Sequence, residues 1–235
     1  MAEFTIGLDP GQTADPTAFA IVQCVQDGPK PTFRCGYLER LPLNTPYPGS
    51  VQHARRLLYQ EPFLGKAELV LDLTGVGRPV ADLFHLEGVR PVRVTITAGS
   101  DETIDDRGEH HVAKLILISQ VQALLHDGRL QIQKDLDFAP ALRTELADFR
   151  ATVTDSGRWT FGARSGSHDD LVLALALAVW RSNKRRARTI DPGVLARSAQ
   201  IRNRPSLDRG YDFGGDYDAG GDLRMLQQRA LFRGR

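Results

Sequence analysis

The sequence predicts an α/β domain: a mixed five-stranded sheet, three antiparallel strands then parallel strands, flanked by helices, plus a small hairpin and a flexible C-terminal tail. Three observations predict it. Three β-rich runs follow one another near the start with only turns between them. After about residue 50 the pattern changes to strand, helix, strand, which implies parallel pairing through a right-handed crossover. Finally, HDDLVLALALAVW (His168 to Trp180) is apolar on nearly every side after its first turn, so it must be a helix packed tightly on something. The 235-residue chain, 41% hydrophobic and 25% charged, has the composition of a soluble globular protein and can bury a sizeable core.

The elements are read in order. Phe4 to Leu8 is a short buried strand. Thr17 to Val25 and Thr32 to Leu41 are the next two, joined by a turn at Asp27-Gly28-Pro29. Beyond a Pro-rich loop, Val51 to Tyr59 has helical spacing, with Val51, Ala54, Leu57 and Leu58 on one face. ELVLDL (Glu68 to Leu73) is continuously apolar up to Asp72, as a strand covered on both faces should be. Val80 to Leu86 suits a helix and Val89 to Ile96 a fifth strand; Val112 to Leu125 is a strong helix stopped by Asp127-Gly128. Leu130 to Ile132 fits a short edge strand, Pro140 to Phe149 an amphipathic helix, and Ala151 to Thr154 with Arg158 to Phe161 a hairpin. The polar, acidic run from Ala98 to His111 reads as a mobile flap in which His110 or His111 could supply a transient ligand.

Composition changes after Ser182. Residues 1–182 are expected to form the folded domain, and 183–235 a basic tail without a packed core, apart from a short helix at Leu223 to Leu231. The tail carries a net charge near +6 and the body near −5, an asymmetry that points to a polyanionic partner. No apolar run reaches membrane-spanning length, and the first residues enter a strand without a secretory signal. Cys24 and Cys35 lack metal-ligand spacing and flank a turn, where packing is their expected role.

Three acidic positions stand at element ends. Asp9 closes the first strand, Asp72 the fourth, and Asp169-Asp170 opens the last helix. A three-strand meander, a helix and then parallel strands describe a sheet of the ribonuclease H type, in which the first and fourth strands are parallel neighbours. Asp9 and Asp72 then emerge together, and such a pair repels unless a cation or proton lies between them. Oxygen ligands from three elements suit Mg²⁺ or Mn²⁺, and two ions about 4 Å apart can hydrolyse a phosphodiester without a side-chain nucleophile. Each acid also has a plainer role: Asp9 in the DPG turn, Asp72 as a helix cap, and Asp169-Asp170 in a capping box with Ser167.

GLDPGQTADPTAFAIV, ELVLDLTGVGRPVADLF, VAKLILISQVQALLHDGRLQI and SGSHDDLVLALALAVW occur in the order and style of the nuclease domain of viral (bacteriophage) large terminase subunits. The chain resembles that family from about Phe4 to Trp180. The resemblance implies a metal-dependent endonuclease cutting double-stranded viral DNA during packaging, with Asp9, Asp72 and one or both of Asp169 and Asp170 as ligands of two Mg²⁺ or Mn²⁺ ions. Asp15 and His168 become supporting candidates beside them. It further implies action in the bacterial host cytoplasm, with a packaging motor, a small terminase subunit or a portal as partners, and no membrane. A complete large terminase also has an ATPase with a Gly-rich loop ending in Gly-Lys-Ser/Thr; GVGRPV has neither the spacing nor the lysine, so an excised domain or separately encoded nuclease is expected. Candidates for phosphate contact are Arg78, Arg107, Lys114, Arg158, Arg164 and the KRRAR residues Lys184, Arg185, Arg186 and Arg188. Two rival readings are a Holliday-junction resolvase-like nuclease and an actin- or sugar-kinase-like ATP-binding protein, whose Asp-x-Gly-x-Thr turn LDPGQT matches only loosely.

Overall fold

The computed structural model describes residues 3–26, 28–148, 150–153, 159–162 and 168–187, with side chains throughout except at 150–153, 159–162 and 186–187. β1 (Phe4–Asp9), β2 (Ala18–Val25) and β3 (Thr32–Arg40) form the expected antiparallel meander. β4 (Ala67–Asp72) lies parallel on the other side of β1, with Leu8 opposite Leu71, and β5 (Val92–Thr97) lies parallel to β4. The two crossovers carry α1 (Tyr47–Leu58) and α2 (Gly77–Leu86). Each helix begins three or four residues before its apolar periodicity does, α1 with Pro48 in its first turn, where a missing N–H costs nothing.

The mixed α/β class stands, and the sheet is wider than the five predicted strands. Its order is β6-β7-β5-β4-β1-β2-β3-β8, with β8 (Leu130–Ile132) parallel to β3 at one edge. At the other edge, β6 (Glu102–Ile104) and β7 (His110–Ala113) pair as a hairpin within the region expected to be a flap. Composition hid this hairpin because its polar side chains are satisfied by distant partners. Trp180 Nε1 donates to Glu102 (3.4 Å), Lys184 pairs with Glu102, and the Trp180 ring meets His110 edge-on. Buried Glu109 accepts from Arg78 (3.0 and 3.3 Å) and Thr95, pinning the hairpin to α2. The remaining elements are α3 (Lys114–His126), α4 (Ala139–Asp148), a separate antiparallel pair β9 (Arg150–Val153) and β10 (Trp159–Gly162), and α5 (Asp170–Ala187).

Alternation along the strands divides the core between two faces. Ile6, Leu8, Phe19, Ile21, Leu69 and Leu71 pack with α1 and α2. Ala18, Ala20, Val22, Val70 and Val94 pack with α3, α4 and α5. Thr5, Gly7 and Asp9 therefore face α5. The small side chain at Gly7 is essential: a Cβ there would fall 1.9 Å from the carbonyl oxygen of Ala174, so α5 rests directly on the β1 backbone. Further along, Thr5 and Ser182 share a 2.7 Å hydroxyl hydrogen bond, and Glu68 accepts from Arg181 (2.7 and 2.9 Å) and Arg185 (3.4 Å). Burial raises the Glu68 pKa, but these two guanidinium groups outweigh it and hold the carboxyl below its ordinary value.

Those contacts carry α5 through Ala187, so the boundary expected at Ser182 falls inside a helix. Residues 188–235, with Arg188 and the helix expected at Leu223 to Leu231, lie outside the described residues. Cys24 pairs in register with Phe33 and Cys35 with Val22; the two form no disulfide, and burial pushes the Cys35 thiol up to about 12. Among the described residues no helix is long and apolar enough to cross a membrane.

Gly7→Ala is predicted to destabilise the fold by about 3 kcal/mol or more, since the obstructing atom is helix backbone that cannot swing aside. Thermal or urea melts check this; a change below about 1 kcal/mol would mean that α5 does not rest on Gly7.

Candidate metal site

Asp9 directly follows Leu8 and Asp72 directly follows Leu71, a cross-strand pair in adjacent parallel strands, so the two carboxylates leave the sheet side by side. Neighbouring strands lie about 4.8 Å apart. Both residues point to the α5 face, and the seating of α5 on Gly7 brings Asp170, one turn before Ala174, over Asp9. Three chain segments thus deliver acids to one place.

The turn after Asp9 is rigid. Thr17 Oγ1 donates to the Gly11 carbonyl (2.9 Å) and accepts from the Gly11 amide (3.1 Å), inside a loop so tight that a Cβ on Gly11 would sit 2.0 Å from the Asp15 carbonyl oxygen. These bonds shape the turn without using the Asp9 carboxylate. Asp72 does not cap α2; its Oδ1 accepts the Thr74 amide at 2.8 Å. Thr74 in turn accepts the Ile96 amide (3.0 Å), which ties the acid to the end of β5.

Electrostatics confirm how crowded the acids are. Burial, then the neighbouring Asp72, Asp170 and Asp169 carboxylates, push Asp9 well above the ordinary carboxylate range, and Lys114 offsets part of this. Burial also raises Asp72, opposed by the bonds from Thr74 and by Lys114. Negative charge is in excess here, and the donors are carboxylate oxygens alone, which fits a hard divalent cation. Among the described residues no three His, Cys, Asp or Glu side chains already converge as a ligand group. The acids at the start of α5 are turned toward side-chain cations: Lys114 Nζ lies 2.7 Å from Asp169, and Arg40 grips Asp170 through two bonds of 2.6 and 2.9 Å.

Arg40 and Glu145 are the residues that sequence reasoning missed. Arg40 ends β3 in the same cross-strand row as Asp9, through Ala18. Its guanidinium also pairs with the buried Glu145 of α4. Glu145 Oε2 accepts the Val172 amide at 3.0 Å, so a carboxylate from another helix satisfies an open N–H in the first turn of α5. Burial, then Asp170, pushes Glu145 up to about 8, although the Val172 amide and Arg40 oppose this. The only sequence signals were an arginine closing a strand and a glutamate on the buried stripe of a helix.

His168 Nδ1 lies 3.2 Å from Asp15 and 3.9 Å from Asp170, so these two supporting candidates meet at the rim of the site. Lys114, expected to contact phosphate, is inside the acid cluster. Arg78 bonds Glu109, Arg185 bonds Glu68, and Lys184 bonds Glu102. Arg107 is exposed, and its carbonyl accepts from Arg93 (2.6 Å). Arg186 lies in α5 with its side chain outside the described set, as are Arg158 and Arg164 altogether. His110 and His111 are in β7, near Glu102 (4.0 Å) and Asp105 (3.8 Å) respectively.

A meander with parallel extensions, acids at the ends of β1 and β4 and a third acidic position on the last helix define a ribonuclease H-like α/β domain. The chain belongs to the Terminase RNaseH-like domain family, whose model matches residues 6–181. It is 28% identical over 175 residues to the terminase large subunit of Thermus phage G20c and 29% identical to that of Thermus virus P23-45. Each match covers 74% of this chain and 31% of the relative, so the chain spans about a third of the length of those curated proteins. The magnesium-bound crystal structure of the large terminase nuclease from thermophilic phage G20c superposes with a TM-score of 0.59 at 25% identity, covering 75% of this chain and 79% of that one. A cobalt-bound form of that nuclease gives a TM-score of 0.58 at 25% identity, covering the same shares.

The raised carboxyls set a pH dependence. Glu145 has an ordinary value of 4.5 and a folded value of about 8, so the folded state binds the extra proton between them. Its stabilising contribution is complete below pH about 4.5 and is lost as pH rises through about 8. In EDTA, stability is predicted to decline over that window, and Glu145→Gln should flatten the decline. Urea melts at pH 5, 6.5 and 8 test this; parallel profiles for the two proteins would refute it.

Proposed function

We propose that this chain is a metal-dependent DNA endonuclease domain of the terminase type, hydrolysing phosphodiester bonds with two divalent cations held by Asp9, Asp72, Asp169 and Asp170. The observation that carries this reading is the meeting of Asp9 and Asp72 at the ends of adjacent parallel strands, with α5 seated on Gly7 so that it begins over them at Asp170. A fold has no stability reason to gather four acids on rigid element ends. The magnesium and cobalt bound to the G20c nuclease support the same reading.

Bound here, Mg²⁺ or Mn²⁺ would activate a water, neutralise the phosphate and stabilise the departing oxygen. On this reading Asp9, at the end of β1 between β4 and α5, would serve both ions. Asp72 is held in orientation by Thr74, and Asp170 by Arg40. Asp15 and His168 stand at the rim, where a phosphate backbone would approach. Exposed cations such as Arg107, together with the basic tail, supply non-specific affinity for double-stranded DNA. A packaging motor, a small terminase subunit and a portal are the partners this reading assigns.

The test is cleavage of linear, supercoiled and four-way-junction DNA with Mg²⁺, Mn²⁺ or EDTA, alongside Asp72→Ala. Cleavage is expected only with a divalent ion, and Asp72→Ala should lower the rate by about three orders of magnitude while remaining folded by circular dichroism. Cleavage in EDTA, or full activity in Asp72→Ala, would overturn the proposal. Strong preference for the junction would favour the resolvase-like alternative.

A further inference from the structure

Two cations of the chain itself lie among the acids, and they are held differently. Arg40 bonds Asp170 twice and also pairs with Glu145, with the two carboxylate side chains only 4% and 6% exposed. Separating that group would strand buried charges, which is strongly unfavourable. Lys114 pairs with Asp169 at 2.7 Å, and both side chains are about a quarter exposed, so water can take over the lysine when the pair opens.

The position of Lys114 is also unusual for helix stability. It is the first residue of α3, a helix with no side-chain cap and no acid in its first turn. A cation there opposes the helix dipole, which favours negative charge at that end. Its compensation comes from the site: the ammonium bonds Asp169 and also acts favourably on the charged forms of Asp9 and Asp72, so it serves acids from three elements.

We propose that Lys114 is a built-in counterion of the acid cluster that divalent metal displaces from Asp169, so that the Lys114–Asp169 pair opens while the Arg40–Asp170–Glu145 group stays closed. Asp169 is then the acid that changes partner on loading, and Asp170 the one held in a fixed direction throughout. Lys114 is a positioning residue: it sets how strongly the site draws metal without being a metal ligand.

This rests on the divalent-cation reading of the site, and Mg²⁺ binding without DNA separates the two. Calorimetric titration of the purified full chain with Mg²⁺ is compared for wild type, Lys114→Met and Lys114→Arg, with melting curves in EDTA and in Mg²⁺. Lys114→Met should bind Mg²⁺ roughly five- to tenfold more tightly, because one competing positive charge is gone. It should melt lower in EDTA and gain more from Mg²⁺ than wild type, while Lys114→Arg keeps near wild-type affinity. Should Lys114→Met fail to fold, Lys114→Gln replaces it with the same expectation. If the neutral variant binds Mg²⁺ equally or more weakly, or if Lys114→Arg tightens as much, the inference falls alone. If wild type takes up no Mg²⁺, the divalent-cation reading falls and this inference with it.

Discussion

The contact on which the arrangement depends is the one between the backbone of β1 at Gly7 and the backbone of α5 at Ala174. It sets the distance between helix and sheet, and with Thr5–Ser182 and Glu68–Arg181 it also fixes where along the sheet the helix starts. Asp170 is consequently delivered to the end of β1. A side chain at Gly7 would lift α5 and separate the acids even with every carboxylate retained. The buried apolar length of α5 supplies the burial energy that holds the charges together, so one helix both stabilises the fold and completes the site.

Like charges gathered in this way need compensation, and the molecule provides it at several levels. Asp9 and Glu145 shift toward their protonated forms, Arg40 is shared between two carboxylates, and Lys114 reaches in from α3. These devices allow the domain to fold before any ion arrives. On the proposed metal-binding reading, loading an ion would be an exchange of positive charge and protons rather than the filling of a vacant socket. Affinity would then be lower than four bare carboxylates would give, and binding would be linked to pH.

Asp9 and Asp72 were legible in the sequence because each ends a continuous apolar run, and the order of strands fixes which runs become neighbours. The last helix was legible from its apolar length alone. Arg40 and Glu145 were not, because their meaning lies in partners 130 and 105 residues apart in the chain, which neither periodicity nor local spacing encodes. The hairpin of β6 and β7 was missed for a related reason. Glu102, Glu109 and His110 are polar residues in an edge structure whose partners belong to α2, β5 and α5. Lys184 and Arg185 show a related limit: two cations of a basic run are engaged by Glu102 and Glu68 through the geometry of α5, which a local reading does not reveal.

The neighbouring acids Asp169 and Asp170 illustrate how position on a helix divides a task. Asp169 precedes the helix and Asp170 begins it, and the two adjacent carboxylates meet different cations, Lys114 and Arg40. Asp170, the first residue of α5, turns inward, where Arg40 and Glu145 enclose it. Asp169, just before the helix, remains partly exposed, and its backbone carbonyl accepts the first turn's hydrogen bond from Leu173. Anchored by its backbone and partly exposed at its side chain, Asp169 could change partners without disturbing the helix. Asp170 cannot move without exposing the charges around Arg40. A pair of aspartates that looks redundant in the sequence thus combines one enclosed carboxylate with one partly exposed carboxylate, a division that would suit the proposed metal site.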